Sequence, residues 1–277
     1  MNAISIDLVL SLHPLLPIGW RAAGVAADFL ANERPAALVV DTKSSPTDAV
    51  TEMDRGAEAR LIDILLGERS TDGLLGEEGG ERAGTSGVRW VVDPLDGTVN
   101  YLYGMPTWAV SVAAEVDGVC EVGVIVAPEL GEAYIGVRGQ GAWQVDAERA
   151  VPLRVRECTS LGSALIATGF GYAAERRRAQ AAVLHELVPH IRDIRRAGAA
   201  VLDFAWLARG RLDGYYEIGL NRWDIAAGAL IAAEAGARVG GLGSPDPYEG
   251  VMVAGVPGIH GALVDELVRS GARGLSA

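Results

Sequence analysis

Cysteine is almost missing: Cys120 and Cys158 are the only two in 277 residues, and neither lies in a C-x-x-C spacing. A disulfide scaffold and a thiolate zinc site are therefore disfavoured, and a reducing cytoplasm is the expected location. Positive charge is short as well. With 24 Lys and Arg against 36 Asp and Glu, the net charge is -12, which would repel a nucleic-acid backbone unless basic residues cluster locally. Nucleic acid is thus an unexpected partner. The same charge would repel a small phosphate ester, so a protein acting on one needs bound cations to reverse the local sign. Long apolar runs are also absent. The longest uncharged stretch, Gly97 to Ala114, contains Gly104, Pro106 and several polar residues, unlike a membrane-spanning helix. The apolar stretch from Leu8 to Trp20 follows Asp7 rather than Lys or Arg and is interrupted by Pro14 and Pro17, so it is expected to be core rather than a signal segment. No repeat, low-complexity tract or long linker occurs, and a soluble protein with no membrane partner is expected.

What is present is globular: 49% of residues are hydrophobic and 22% charged, and the length suffices for a substantial core. One compact catalytic unit over residues 1–277 is expected. Its sub-lobes would be about 1–150, with helices and a largely antiparallel sheet, and 151–277, an α/β lobe. Apolar periodicity predicts helices over about Ile4 to Leu30 and Asp48 to Leu66. Lys43-Ser44-Ser45-Pro46-Thr47 between them has loop chemistry. Strands are predicted at Val88 to Val92, ended by Pro94, and at Trp108 to Glu115, Glu121 to Val126 and Glu132 to Val137. Further on come a strand to Thr168, helices from about Ala173 to His190 and Ala199 to Arg209, and a strand from Gly214 to Ile218. A helix from Ile225 to Ala235, a strand from Gly250 to Ala254 and a helix from Ile259 to Arg269 complete the pattern. Layered sheets and helices are the simplest architecture for it.

The segment Asp93-Pro94-Leu95-Asp96-Gly97-Thr98 sets two carboxylates three apart across turn-forming Pro94 and Gly97, able to converge with the Leu95 carbonyl. Neighbouring carboxylates resist joint ionisation, and a divalent cation with hard oxygen ligands removes that penalty. A lone D-x-x-D is ordinarily a turn or helix cap, but a chance match to D-P-x-D-G-T in a chain this long is on the order of one in ten thousand. The spacing does not suit an EF-hand loop. The other candidates each have an ordinary reading. Glu77 and Glu78 could be solvated loop charges, Asp54 a helix-surface charge and Thr98 a turn residue. Asp224 could cap the helix that follows it, and Lys43 could be a solvated loop cation.

Taken together, Gly76-Glu77-Glu78, Asp93 to Thr98, and Trp223-Asp224-Ile225-Ala226-Ala227-Gly228 resemble the inositol monophosphatase family, most closely its bacterial inositol-1-monophosphatase branch. Lys43 to Asp48 with Thr51 and Asp54, and Arg196-Ala197-Gly198 ahead of Asp213-Gly214-Tyr215-Tyr216-Glu217, extend the likeness over most of the chain. The resemblance implies a layered αβαβα sandwich of the inositol monophosphatase / fructose-1,6-bisphosphatase type, in the mixed α+β and α/β classes. It implies two or three Mg2+ ions per site, held by Glu77, Asp93, the Leu95 carbonyl, Asp96 and Asp224. It gives Asp54 and Thr98 the task of positioning and deprotonating the attacking water with Glu77, and places Lys43 on a loop near the metals. Substrate contacts would come from Asp96, Gly97, Thr98, Gly198, Ala199, Glu217 and Asp224. Ala199 departs from the family pattern, in which Ser or Thr often follows the glycine.

The implied reaction is hydrolysis of a small phosphorylated polyol, myo-inositol 1-phosphate, in a homodimeric enzyme. Related enzymes with the same metal motif act on histidinol phosphate, fructose 1,6-bisphosphate or 3′-phosphoadenosine 5′-phosphate. A regulatory binding role in transcription, resembling that of some bacterial relatives, is the alternative of another class.

Overall fold

The computed structural model describes residues 3–42, 49–242, 244, 246–248 and 250–275. The chain opens with a short strand β1 (Ile4–Ser5), helix α1 (Ile6–Leu10) and helix α2 (Leu16–Asn32). The single helix predicted over about residues 4–30 is thus two. Proline cannot donate inside a helix but suits a first turn, and Pro17 stands in the first turn of α2. Strands β2 (Val40–Thr42) and β3 (Ala49–Thr51) pair antiparallel ahead of helix α3 (Glu52–Glu68). Thr51 caps α3, its side chain accepting from Met53 N while the Asp54 carboxylate accepts from Thr51 N. This reciprocal box starts the helix a few residues later than its periodicity suggests.

Strands β4 (Gly73–Gly76), β5 (Gly80–Arg82), β6 (Val88–Asp96), β7 (Ala109–Val116), β8 (Val119–Ala127), β9 (Glu132–Val137), β10 (Gly141–Val145) and β11 (Arg149–Pro152) follow, with helix α4 (Thr98–Leu102) after β6. They form a nine-stranded sheet in the order β1-β11-β10-β9-β8-β7-β6-β4-β5. Its pairings are antiparallel except β4 with β6. Pro94 does not end β6 as predicted. Asp93 faces Ser111 and Asp96 faces Ala109, so three steps along β6 oppose two along β7, and proline is tolerated at such a bulge because no ladder bond is asked of it.

The second sheet comprises β12 (Leu165–Thr168), β13 (Asp193–Arg195), β14 (Gly214–Ile218), β15 (Arg238–Gly241) and β16 (Val251–Gly255), ordered β13-β12-β14-β16-β15. Helices α5 (Ala174–Leu187), α6 (Ala200–Ala208), α7 (Arg222–Glu234) and α8 (Pro257–Arg269) surround it. The cores define five layers. Leu16 and Ala23 of α2 and Leu61 and Leu65 of α3 bury against Trp90, Val112 and Val124 of the large sheet. On its other face Val91, Ile125 and Tyr134 meet Val201 and Leu202 of α6 and Ala227 and Ile231 of α7. Phe204 of α6 and Ile225 of α7 also pack with Tyr215 and Val253 of the small sheet, which α5 and α8 cover through Leu187 and Leu263. The result is an αβαβα sandwich, as expected. Helix α7 lies so close to the large sheet that a Cβ on Gly123 would sit 2.8 Å from the Ala227 carbonyl. Among the described residues no helix is long and apolar enough to cross a membrane.

Candidate active site

The bulge at the end of β6 aims two acids differently. Asp93 is buried, its Oδ1 accepting from Leu95 N at 2.9 Å. Half-buried Asp96 reaches across to α6, where its Oδ2 accepts from Val201 N at 2.7 Å. Ala199, the N-cap of α6, has no side chain able to make that bond. Asp96 therefore supplies from another element what a Ser or Thr at 199 would supply locally. Gly97 turns the chain at φ 94°, a left-handed conformation suited to glycine, and opens α4.

Thr98 is the first residue of α4, and its buried hydroxyl lies 2.8 Å from Asp54 Oδ1 and 3.1 Å from the Leu95 carbonyl. Its one hydrogen serves one of them at a time, leaving oxygen lone pairs free to accept. Asp54 Oδ2 takes Thr51 N at 2.8 Å and Thr51 Oγ1 at 2.6 Å. Asp54 is fully buried, not the helix-surface charge of its ordinary reading.

Glu77 lies in the tight turn joining β4 to β5. Glu77, Asp93, Asp96, Asp224 and Glu217 all line one cavity of about 1030 Å³, together with Leu95, Gly97, Thr98, Gly198 and Ala199. Asp224 combines two roles: it caps α7, accepting from Asn221 N at 2.6 Å, and it lines the cavity. Glu217, in β14, accepts from Tyr215 OH at 2.6 Å. Asn100 Nδ2 donates to the Ala197 carbonyl at 2.9 Å and the Thr107 carbonyl at 2.6 Å, tying α4 to the turn that carries Gly198.

Gathering these acids perturbs them. Burial, followed by the charges of Glu77, Asp96 and Asp224, holds the Asp93 carboxyl well above its ordinary value. Asp96 is also raised well above its own, by burial and Asp224, against the lowering effect of the Val201 N–H. Asp224 is pushed up to about 8, chiefly by burial and then by Glu77 and Glu217, despite the bond from Asn221. Burial raises Glu217 too, although Tyr215 and Arg196 pull it down. Among the described residues no three His, Cys, Asp or Glu side chains form a ready-made cation cage. The donor set nonetheless suits a hard divalent cation, being carboxylates and a carbonyl oxygen whose mutual repulsion such a cation relieves.

Of the sequence-predicted site residues Lys43 lies outside those described, as do the rest of the predicted loop to Thr47 and the motif residue Asp48. Arg176, Arg177 and Arg196 also line the cavity, and sequence reasoning gave them no role there. The run Arg176-Arg177-Arg178 was visible, but nothing in its spacing says which way a helix faces.

A layered αβαβα protein with an acidic cavity suited to a hard divalent cation, at a strand end and two helix starts, is the class that fold and site define. The chain belongs to the inositol monophosphatase family, whose model matches residues 11–267. It is 46% identical over 237 residues to the inositol-1-monophosphatase of Mycobacterium leprae, covering 83% of this chain and 81% of that one. It is 39% identical over 259 residues to the Nus factor SuhB of Escherichia coli, covering 91% and 95%. Among solved structures, the extragenic suppressor protein suhB of Bartonella henselae superposes with a TM-score of 0.85 at 35% identity, covering 92% of this chain and 98% of that one.

Proposed function

We propose that this protein is a Mg2+-dependent phosphomonoesterase that hydrolyses myo-inositol 1-phosphate to myo-inositol and phosphate. The observation that carries the reading is the meeting of Glu77, Asp93, Leu95, Asp96, Asp224 and Thr98 around one cavity, with Thr98 backed by buried Asp54. Glu77, Asp93 and the Leu95 carbonyl would hold one ion and Asp93, Asp96 and Asp224 a second; a third would share Glu77. Mg2+ held there would lower the pKa of a bound water and stabilise a leaving alkoxide. Thr98 donates its hydroxyl hydrogen to Asp54, so that as Thr98 Oγ1 takes a proton from the attacking water its own hydroxyl proton passes to Asp54. The backbone N–H groups of Gly97 and Thr98 face phosphate oxygens. Glu217 and the backbone at Gly198 and Ala199 contact polyol hydroxyls, and the hydroxyl missing at Ala199 is replaced for helix capping by Asp96.

The likeness to the inositol-1-monophosphatase of M. leprae supports inositol 1-phosphate over other esters. Phosphate release measured side by side from myo-inositol 1-phosphate, histidinol phosphate, fructose 1,6-bisphosphate and 3′-phosphoadenosine 5′-phosphate tests the choice. A clear preference for any of the last three overturns it. The chain would work as one unit over residues 1–277, with sub-lobes of about 1–150 and 151–277, as a cytoplasmic homodimer, with Lys43 near the metals. The relative named as a Nus factor favours a second reading, a regulatory binding protein in transcription. A wild type inactive on every ester that holds a stable macromolecular partner would favour that reading.

A further inference from the structure

Helix α3 carries a second buried carboxylate one turn after Asp54. Residues four apart lie on the same helix face, so Glu58 points to the same side as Asp54 but meets a different part of the site. Its Oε2 accepts from Glu78 N at 2.9 Å. A Cβ on Gly76 would lie 2.6 Å from that oxygen, and one on Gly79 would lie 2.5 Å from Oε1. Glu58 thus fills the space beneath the turn that presents Glu77, in room left by two glycines, and it is only 3% exposed. Neither glycine has a positive φ, so the requirement there is closeness, not backbone conformation. A buried carboxylate carries a large desolvation cost, and the bond to a backbone N–H in this turn helps to offset it.

We infer that Glu58 is a positioning residue that fixes the β4–β5 turn so that Glu77 faces the cation site. Through α3, the turn bearing Glu77 and the Thr98–Asp54 pair then share one rigid support. The inference rests on the reading of Glu77 as a cation ligand.

The test is Mg2+ binding by isothermal titration calorimetry on the full chain, with circular dichroism and steady-state kinetics alongside. The variants are Glu77→Gln, Glu58→Ala, Glu58→Gln, Gly79→Ala and the Glu58→Ala/Gly79→Ala double. Loss of a supporting group behind a metal ligand typically weakens the metal about 10–100-fold, and Glu58→Ala is expected at the lower end, with kcat at saturating Mg2+ little changed. Glu58→Gln keeps an acceptor for the Glu78 N–H and should recover most of the affinity. Gly79→Ala, pushing on Glu58 from the turn side, should weaken Mg2+ as well, and the double variant should be no worse than Glu58→Ala alone. Should Glu58→Ala fail to fold, the Gly79→Ala titration decides by itself. Wild-type affinity in Glu58→Ala or Gly79→Ala, or full additivity in the double, would overturn the proposal while a weakened Glu77→Gln left the ligand reading standing. Wild-type affinity in Glu77→Gln would remove the ligand reading and the proposal together.

Discussion

Thr98 and Asp54 are 44 residues apart in sequence, yet their 2.8 Å bond is the contact most tied to the proposed chemistry. Thr98→Val removes the hydroxyl and leaves Asp54 Oδ1 short of a buried partner. Turnover should fall by roughly 10²–10⁴-fold, the usual range for losing a proton-transfer group, while Thr98→Ser retains most of it; steady-state kinetics read both. Asp93 is the opposite kind of residue, one the fold holds at a cost. Its raised pKa reflects burial first and three like charges next. Without Mg2+, Asp93→Asn should melt no lower than wild type and up to ~1–2 kcal/mol more stable, while losing most of the stabilisation that added Mg2+ gives. Calorimetric melting with and without Mg2+ checks this, and a lower Mg2+-free midpoint would count against it. The acids of the site were legible because their spacing is rare and their order along the chain specific. Glu58 was not, because a Glu on a helix carries no mark of the glycine turn it meets. The cavity arginines were not, because orientation is decided by packing between layers.

At the scale of elements, the site depends on where α7 begins, since Asp224 is part of its cap. The Asn221–Asp224 box sets that start, and close approach at Gly123 sets how near α7 lies to the large sheet. Gly123→Ala should cost about 1–3 kcal/mol as overpacking does and weaken Mg2+ by shifting α7; chemical denaturation and metal titration measure the two effects. A second tie runs from β9 to the turn that follows α6. Glu132 accepts from Arg211 Nη2 at 2.6 Å, Arg211 Nη1 at 2.9 Å and Tyr134 OH at 2.6 Å. Burial pushes this carboxyl up, but those bonds outweigh it and hold the pKa below the ordinary 4.5. The unfolded chain therefore binds the proton more readily, so the stabilisation is complete above about pH 4.5 and is lost as pH falls through the lowered folded value. The difference in melting temperature between wild type and Glu132→Gln should shrink below that pH; a constant difference would contradict the assignment. Strands such as β9 and β14 were legible as short apolar and aromatic stretches bounded by turn residues. Three-residue β13 and β5 are polar edge pieces with no such pattern. The break between α1 and α2 and the bulge at Pro94 show proline relocating an element boundary rather than simply ending one.

For the whole molecule, five layers bring distant segments to one cavity: the β4–β5 turn, the β6 bulge, the starts of α4, α6 and α7, and β14. The layering was legible from the order of elements and the family resemblance, whereas the placing of α6 and α7 between the sheets came only from which faces they bury. An acidic chain of net charge -12 that gathers five carboxylates against three arginines in this cavity is poorly suited to binding a phosphate ester by itself, and cations resolve that conflict. The most direct measurement is inorganic phosphate released from myo-inositol 1-phosphate by wild-type protein with Mg2+, after chelation, and after Mg2+ is restored. Release that stops on chelation and returns with Mg2+ is the expected result. No release in Mg2+, or the same release in chelator, would contradict the account.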